Sequence, residues 1–321
     1  MHSALRFIAL DWGSTRLRAY CCELTPQQEL VLLAQASGPG VVKIVGTFSD
    51  VLQQVIAPFV KQYGELPIFM AGQISSSIGW FETPYLNCPV TPQAILHSVC
   101  ERISGQQSLY IMSGLRYQNP SGDNDTMRGE ELQLLGLLRR YPQYLHGQHL
   151  VCLPGTHCKW VLLDNGYVSW FKSAITGELF DVLLQHSILL PKPATLYTDD
   201  WATFTAGCQR ALTFPNESIV HALFSVRTKQ LFDAYTASNA RSYLSGLLIG
   251  ADVGSILHDT KVESLPTGSI ILIGSGALQQ AYATALTQAN QQSVLITEQE
   301  VVLAGFAAVA NQTLLPLSCQ A

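Results

Sequence analysis

The chain has 321 residues, 48% of them hydrophobic and 13% charged, with a formal net charge of −5. It is too apolar for a disordered chain and long enough for two domains. The acidic balance leaves no basic face for nucleic acid, so an anionic substrate must be held by a few local cations.

Taken in chain order, an apolar run at 5–10 predicts a buried strand that ends in the turn Asp11-Trp-Gly-Ser-Thr15. Alternation over 17–24 and an apolar pattern at 29–34 predict two further strands, so the chain opens as an antiparallel meander. Residues 48–63 place Phe48, Val51, Leu52, Val55, Ile56 and Phe59 on one helical face. A short strand at 67–70 runs into a small-residue loop at 71–80, and another strand is expected at 109–112. A polar, glycine-bearing stretch at 113–128 precedes a helix at 130–140.

The opening pattern then returns. An apolar segment at 150–153 feeds Pro154-Gly-Thr-His-Cys-Lys159, and strands at 160–163 and 167–171 flank the turn Asp164-Asn-Gly166. Helices are expected at 178–189, 200–211 and 242–257. A strand at 269–273 ends in Gly274-Ser-Gly276, followed by a helix at 277–289, a strand at 294–296 and a last helix at 301–310. The same order of strand, glycine-hydroxyl turn, strand, turn and strand in both halves hints at two related domains.

No apolar run approaches the roughly 18 residues that span a bilayer, and the stretch at 7–10 ends at Asp11 without a cleavage pattern. The eight cysteines include no CxxC pair and lie mostly in apolar segments, as reduced core thiols do. A cytoplasmic location, with no membrane partner, is the expectation.

Several stretches can carry chemistry. Asp11 at a strand end, followed by Gly13, Ser14 and Thr15, suits a metal-phosphate site, with the carboxylate on a hydrated Mg2+ and Arg18 as a nearby cation. An ordinary surface turn would show the same residues. Gly155 and Thr156 offer a second phosphate turn, with His157 and Lys159 as further donors, or as a backbone-satisfied turn residue in the case of His157. Gly274, Ser275 and Gly276 open a helix after a strand, the geometry that brings backbone to a nucleotide, although the third glycine of a dinucleotide fingerprint is replaced by Gln279. Too little chain follows for a full dinucleotide domain.

Asp125, Arg128, Glu130 and Glu131 cluster at the mouth of a helix, either as a catalytic carboxylate with a carboxylate-binding arginine or as plain capping groups with Asp125 or Thr126 as the cap. The loop at 71–84, with Gln73, Ser75, Ser76, Ser77 and Trp80 or Tyr85 as an aromatic wall, reads as a site for a polyhydroxylated substrate or as a connecting loop.

Together these turns resemble the phosphate-1, phosphate-2 and adenosine motifs of the actin–hexokinase–Hsp70 superfamily. Within it the chain resembles the 2-dehydro-3-deoxygalactonokinase family. The match rests on DWGSTRLRAY (11–20), MAGQISSSIGW (70–80), MRGEELQLLG (127–136), LPGTHCKW (153–160), TGEL (176–179), TFTAG (203–207) and YLSGLLIGAD (243–252).

The resemblance implies an α/β chain of two actin/ribonuclease-H-like domains, mixed β-sheets flanked by helices, with a cleft between them. Domain one, 1–115, would carry the sugar acid and phosphate-1. Domain two, 116–321, would carry phosphate-2 and adenosine, with the last helix able to pack back on the first domain. It also implies ATP and Mg2+ as cofactors, and phosphorylation of 2-dehydro-3-deoxy-D-galactonate to its 6-phosphate in galactonate catabolism. The alternatives are a kinase for the gluconate-derived epimer or a non-catalytic sugar-acid sensor on the same fold.

On this sequence Asp11 would organise Mg2+. Arg18, Gly13, Ser14, Thr15, Gly155 and Thr156 would face the phosphates, and Gly274, Ser275 and Gly276 the adenosine. Gln73, Ser76, Trp80, Arg128, His157 and Lys159 would meet the substrate. Glu130 is the expected base, with Glu131 and Asp125 as alternatives, and a homodimer is a family-level expectation.

Overall fold

The computed structural model describes residues 4–105, 107–190, 197–259, 262 and 268–314. Their contacts divide into two units. The first holds described residues of 1–147, 163–170 and 298–321, and the second those of 148–162 and 171–297.

In the first unit the chain begins with β1 (Leu5–Trp12), β2 (Arg16–Leu24) and β3 (Leu30–Pro39), the expected antiparallel meander. Helix α1 (Phe48–Tyr63) starts at Thr47, whose hydroxyl accepts the Asp50 N–H, and buries Val51, Leu52, Val55, Ile56 and Phe59. Strand β4 (Ile68–Ala71) then lies parallel to β1. Phe7 to Leu10 and Ile68 to Ala71 are buried at every position, as parallel strands covered on both faces must be.

The chain continues with β5 (Tyr85–Asn87), α2 (Pro92–Leu96), β6 (Cys100–Ser104), β7 (Gln107–Ile111), β8 (Gly114–Gln118), β9 (Asn124–Met127) and α3 (Glu130–Arg140). The main sheet has the order β3-β2-β1-β4-β7-β6, and β5-β8-β9 form a small second sheet. The polar stretch at 113–128 is therefore mostly an antiparallel hairpin. Its strands are short and only partly buried, so they carry little of the apolar alternation by which a strand is recognised.

The second unit is built on the sheet β12-β11-β10-β13-β14. Its strands are β10 (Gln148–Leu153), β11 (Cys158–Asp164), β12 (Tyr167–Ala174), β13 (Ile270–Gly274) and β14 (Ser293–Thr297). The division between units passes through β11 and β12. The turn between those strands has Asn165 and Gly166 both at positive φ, which suits Asn-Gly in a tight hairpin.

Around this sheet stand α4 (Thr176–His186), α5 (Trp201–Thr213), α6 (Ile219–Leu223), α7 (Ser225–Phe232), α8 (Ala237–Leu257) and α9 (Gly276–Gln288). Both main sheets place their first strand between the second and the fourth in chain order, so the echo seen in sequence is an echo of topology. These are the expected ribonuclease-H-like units with mixed sheets.

The expected boundary after residue 115 is displaced to Gly147/Gln148. The reason is packing: β8 pairs with β5, and α3 packs against the last helix, α10 (Glu298–Leu314), both in the first unit. The two helices meet through glycines. A Cβ on Gly136 would overlap the Val301 carbonyl, and one on Gly305 the Leu132 carbonyl. Gly136→Ala is expected to lower unfolding stability by about 1–3 kcal/mol, read from a urea midpoint, because the obstructing atoms are backbone and cannot rotate away. An unchanged midpoint would show that the helices separate freely.

No helix among the described residues is long and apolar enough to cross a membrane. The seven described cysteines are all free, and Cys319 lies outside the described residues.

Candidate active site

In the first unit the residues expected to form the site gather where β1, β4 and α3 end or begin. The turn after β1 is held by its own backbone. The Gly13 N–H donates to the Arg16 carbonyl, while the carbonyls of Gly13 and Ser14 accept the N–H groups of Val41 and Val42. This leaves Ser14 half-buried and Thr15 exposed.

Gly72, at φ +97, passes so close beneath Trp12 that a Cβ would lie 2.8 Å from its carbonyl oxygen. Gly129, at φ +109, would bring a Cβ to 3.3 Å from the Gly72 Cα. The positive φ favours glycine at both crossings, and at Gly72 the lack of space excludes a side chain as well.

The charges around this crossing are mostly negative. Burial raises the Asp11 carboxyl to about 6, Arg18 opposes that shift, and Glu298 and Glu130 add to it. Asp11 and Arg18 are register partners on β1 and β2, with Arg18 Nε 3.6 Å from Asp11 Oδ2. The other edge of the guanidinium forks onto Glu298: Nη2 donates to Oε1 at 2.9 Å and Nη1 lies 2.7 Å from Oε2. Arg18 was expected to reach terminal phosphates. Its fork is engaged by Glu298 instead, a partner 280 residues away that no local pattern points to.

Helix α3 has Gly129 as its cap residue, which offers no side-chain oxygen. Glu131 supplies one by folding back, so that its Oε2 accepts the Gly129 N–H at 2.7 Å. Neither Asp125 nor Thr126 caps the helix. Both lie on β9, where Asp125 Oδ1 accepts the Thr126 N–H at 2.7 Å. Glu130 is the first helical residue, half-buried, and close enough to raise the carboxyls of both Asp11 and Glu131.

The substrate residues expected in this unit divide. Arg128 is 6% exposed. Its Nη1 donates to the Ser75 and Thr83 hydroxyls at 2.9 and 2.7 Å, its Nη2 to the Thr83 carbonyl at 2.6 Å, and it stacks on Tyr85 at 3.9 Å. These contacts make it an internal brace of the loop, where the sequence expectation was a clamp for a substrate carboxylate. The Ser76 hydroxyl closes its own turn by donating to the Gln73 carbonyl at 2.7 Å. Trp80 stacks on Phe81 and Phe48 against the core, and Gln73 is half-buried.

The second unit holds a cavity of about 240 Å3 with Phe180, Trp201, Phe204, Ile249 and Leu278 among its walls and Gly155 and Gly177 at its lining. The turn at 154–157 is seated on the start of α4. The Glu178 N–H donates to the Thr156 carbonyl at 2.9 Å, and a Cβ on Gly177 would lie 2.5 Å from the Gly155 carbonyl oxygen. Gly177, which appears in sequence only as part of TGEL, is thus as much a part of this turn as Gly155.

His157 is exposed and pairs with Glu178 at 2.5 Å. Lys159 is buried and donates to the Ser173 hydroxyl at 2.5 Å. It sits next to Trp160 on β11, so the two point to opposite faces of the sheet. Trp160 faces α8, where it meets Asp252, and Lys159 is held on the other face by Ser173.

Gly274 ends β13, Ser275 is extended, and Gly276 enters α9 at φ +59. The cavity wall itself is made one step later, by Ala277, Leu278 and Ala281. Gln279, standing where a dinucleotide fingerprint has glycine, donates to the carbonyls of Leu272 and Ile296 at 3.0 and 2.9 Å and bolts α9 to β13 and β14.

Two ribonuclease-H-like sheets, one ending in an acid-bearing turn and the other beside a glycine-edged apolar cavity, place the chain in the actin–hexokinase fold class. The comparisons with known proteins agree. The model of the 2-keto-3-deoxy-galactonokinase family matches residues 11–309. A Rhizobium meliloti protein named as a probable 2-dehydro-3-deoxygalactonokinase is 33% identical over 97% of this chain and 98% of its own. The 2-dehydro-3-deoxygalactonokinase of Escherichia coli K12 is 32% identical over 95% of this chain and 98% of its own. A crystal structure from Sinorhizobium meliloti described by the same kinase name superposes with a TM-score of 0.84 at 32% identity, covering 97% of this chain and 98% of that one. The chain belongs to the 2-keto-3-deoxy-galactonokinase family and is a sugar-acid kinase.

Proposed function

We propose that the protein transfers the terminal phosphoryl group of ATP to the 6-hydroxyl of 2-dehydro-3-deoxy-D-galactonate. The observation that carries this reading is the gathering of Asp11, Glu130 and Arg18 at the Gly72–Gly129 crossing, a carboxylate-rich turn of the kind phosphoryl transfer to an alcohol requires.

Asp11 would hold Mg2+. Among the described residues no three His, Cys, Asp or Glu side chains form a metal cage. That fits Mg2+, which takes one or two protein carboxylates and completes its shell with water and phosphate oxygens. The negative charge left beside Asp11 by Glu298 and Glu130 also suits a divalent cation. When bound, Mg2+ would neutralise charge on the transferring group.

Glu130 would accept the hydroxyl proton. Arg18, held by Glu298, would fix the Asp11 carboxylate. Gly13, Ser14 and Thr15 would offer backbone and hydroxyl donors to phosphate in the first unit, and Gly155 and Thr156 are a second glycine-hydroxyl turn of the same kind. The apolar cavity of the second unit would take the adenine between its aromatic and aliphatic walls, with the backbone of 274–276 leading into it. Gln73 and Trp80 would meet the sugar acid. Free thiols at all seven described cysteines support a reducing, cytoplasmic setting.

The test is ADP release, coupled to a dehydrogenase, over a panel of sugar acids with ATP and Mg2+. The galactonate-derived 2-keto-3-deoxy acid is expected to give the highest kcat/KM, at least about ten-fold above its gluconate-derived epimer, because groups placed to bond a hydroxyl penalise its misplacement. Equal rates for both epimers would remove the substrate assignment, and no ADP release with any acid would remove the reaction.

A further inference from the structure

Asp252 lies on α8 and is 9% exposed. Its Oδ1 accepts the Trp160 indole N–H at 3.0 Å, and its Oδ2 accepts the Thr176 hydroxyl at 3.1 Å and the Tyr282 phenol at 2.7 Å. The three donors come from three different elements. Trp160 is on β11, which leaves the 154–157 turn. Thr176 opens α4, one residue before Gly177. Tyr282 is on α9, one turn beyond Leu278. Thr176 and Tyr282 reach the lining of the 240 Å3 cavity, whereas Asp252 does not.

No Lys or Arg forms an ion pair with this carboxylate among the described residues. Burial pushes its carboxyl up, and the Tyr282, Trp160 and Thr176 donors pull it back. A buried carboxylate of this kind is a poor source of stability, since an apolar side chain of similar volume would avoid the desolvation cost. What it supplies is geometry: two oxygens draw three donors from three elements to one point, and no apolar side chain can do that.

We propose that Asp252 is a positioning residue for the nucleotide. It ties β11, the first turn of α4 and helix α9 to α8, and so sets the spacing of the cavity walls and of the Gly155–Gly177 contact. The inference rests on the reading of that cavity as the nucleotide site.

The experiment is ADP binding by titration calorimetry on the full chain, for wild type, Tyr282→Phe and Asp252→Asn, together with the KM for the sugar acid. Tyr282→Phe removes one oxygen and leaves the ring. Both variants are expected to bind ADP about 3–30-fold more weakly while the sugar-acid KM stays within about two-fold. Wild-type affinity in Tyr282→Phe, with or without a lowered melting temperature, overturns the positioning role and leaves the nucleotide site standing. A parallel rise in both constants also overturns it, since that is what general loosening produces. Absence of ADP binding by wild type removes the nucleotide site and this inference together. If Asp252→Asn does not fold, Tyr282→Phe decides.

Discussion

Glu130→Gln is expected to lower kcat by about 10²–10⁴-fold, the usual contribution of a general base. The side chain stands at the first position of α3, half-buried, in the electrostatic reach of Asp11. Glutamine keeps its length and its hydrogen-bonding oxygen but cannot take a proton, so binding should be largely preserved while turnover falls. Stopped-flow or coupled ADP release at saturating ATP and sugar acid measures this directly, and calorimetric ADP affinity in the same variant guards against misfolding. Turnover close to wild type would take the base role from Glu130. Asp125 is a weak substitute, because it sits on β9 with one oxygen on its neighbour's N–H. Asp125→Asn should therefore change kcat by much less.

Stability should fall as pH rises from about 4.5 to about 8, with Glu131 the larger contributor and the raised Asp11 carboxyl adding to it below about pH 6. The Glu131 carboxyl is 1% exposed. Burial raises it to about 8 and the Glu130 charge adds to the shift, while N–H bonds at Glu131 and Gly129 and the Arg128 charge oppose it. In the unfolded chain it releases its proton near 4.5, so between these values the folded state binds more protons than the unfolded state. A raised carboxyl of this kind favours folding at low pH, and that advantage is lost as pH climbs through the folded value. The whole effect is on the order of a few kcal/mol.

Glu131→Gln keeps an oxygen for the Gly129 N–H and removes the titration. Its urea midpoint should therefore exceed that of wild type at pH 8.5, with no gain at pH 5. Wild-type and variant curves running parallel across that range would rule the account out.

Much of the fold was legible in order along the chain because its signals are local. The apolar run before Asp11, the one-sided spacing of 48–63, the Asn165-Gly166 hairpin and the glycine-hydroxyl turns at 13–15 and 155–156 each express the preferences of neighbouring residues. The acids Asp11 and Glu130 could be singled out for the same reason: each sits at a strand end or a helix start. The hairpin at 114–127 is not legible in the sequence because its strands are short and only partly buried, which leaves little periodicity to read.

The amino-acid order by itself thus determined the class of protein, the two-sheet plan and the positions of the glycine-hydroxyl turns. Tertiary structure alone decided how the charged groups were spent. Arg18 met Glu298 across the chain, Arg128 was drawn into the Ser75–Thr83 loop, Lys159 turned to the other face of its sheet, and the unit boundary moved to Gly147 when α3 packed on α10. The physical reason is common to all four. A long cationic side chain, or an apolar helix face, takes the partner that best offsets its loss of water, and that partner is brought near by folding rather than by sequence spacing.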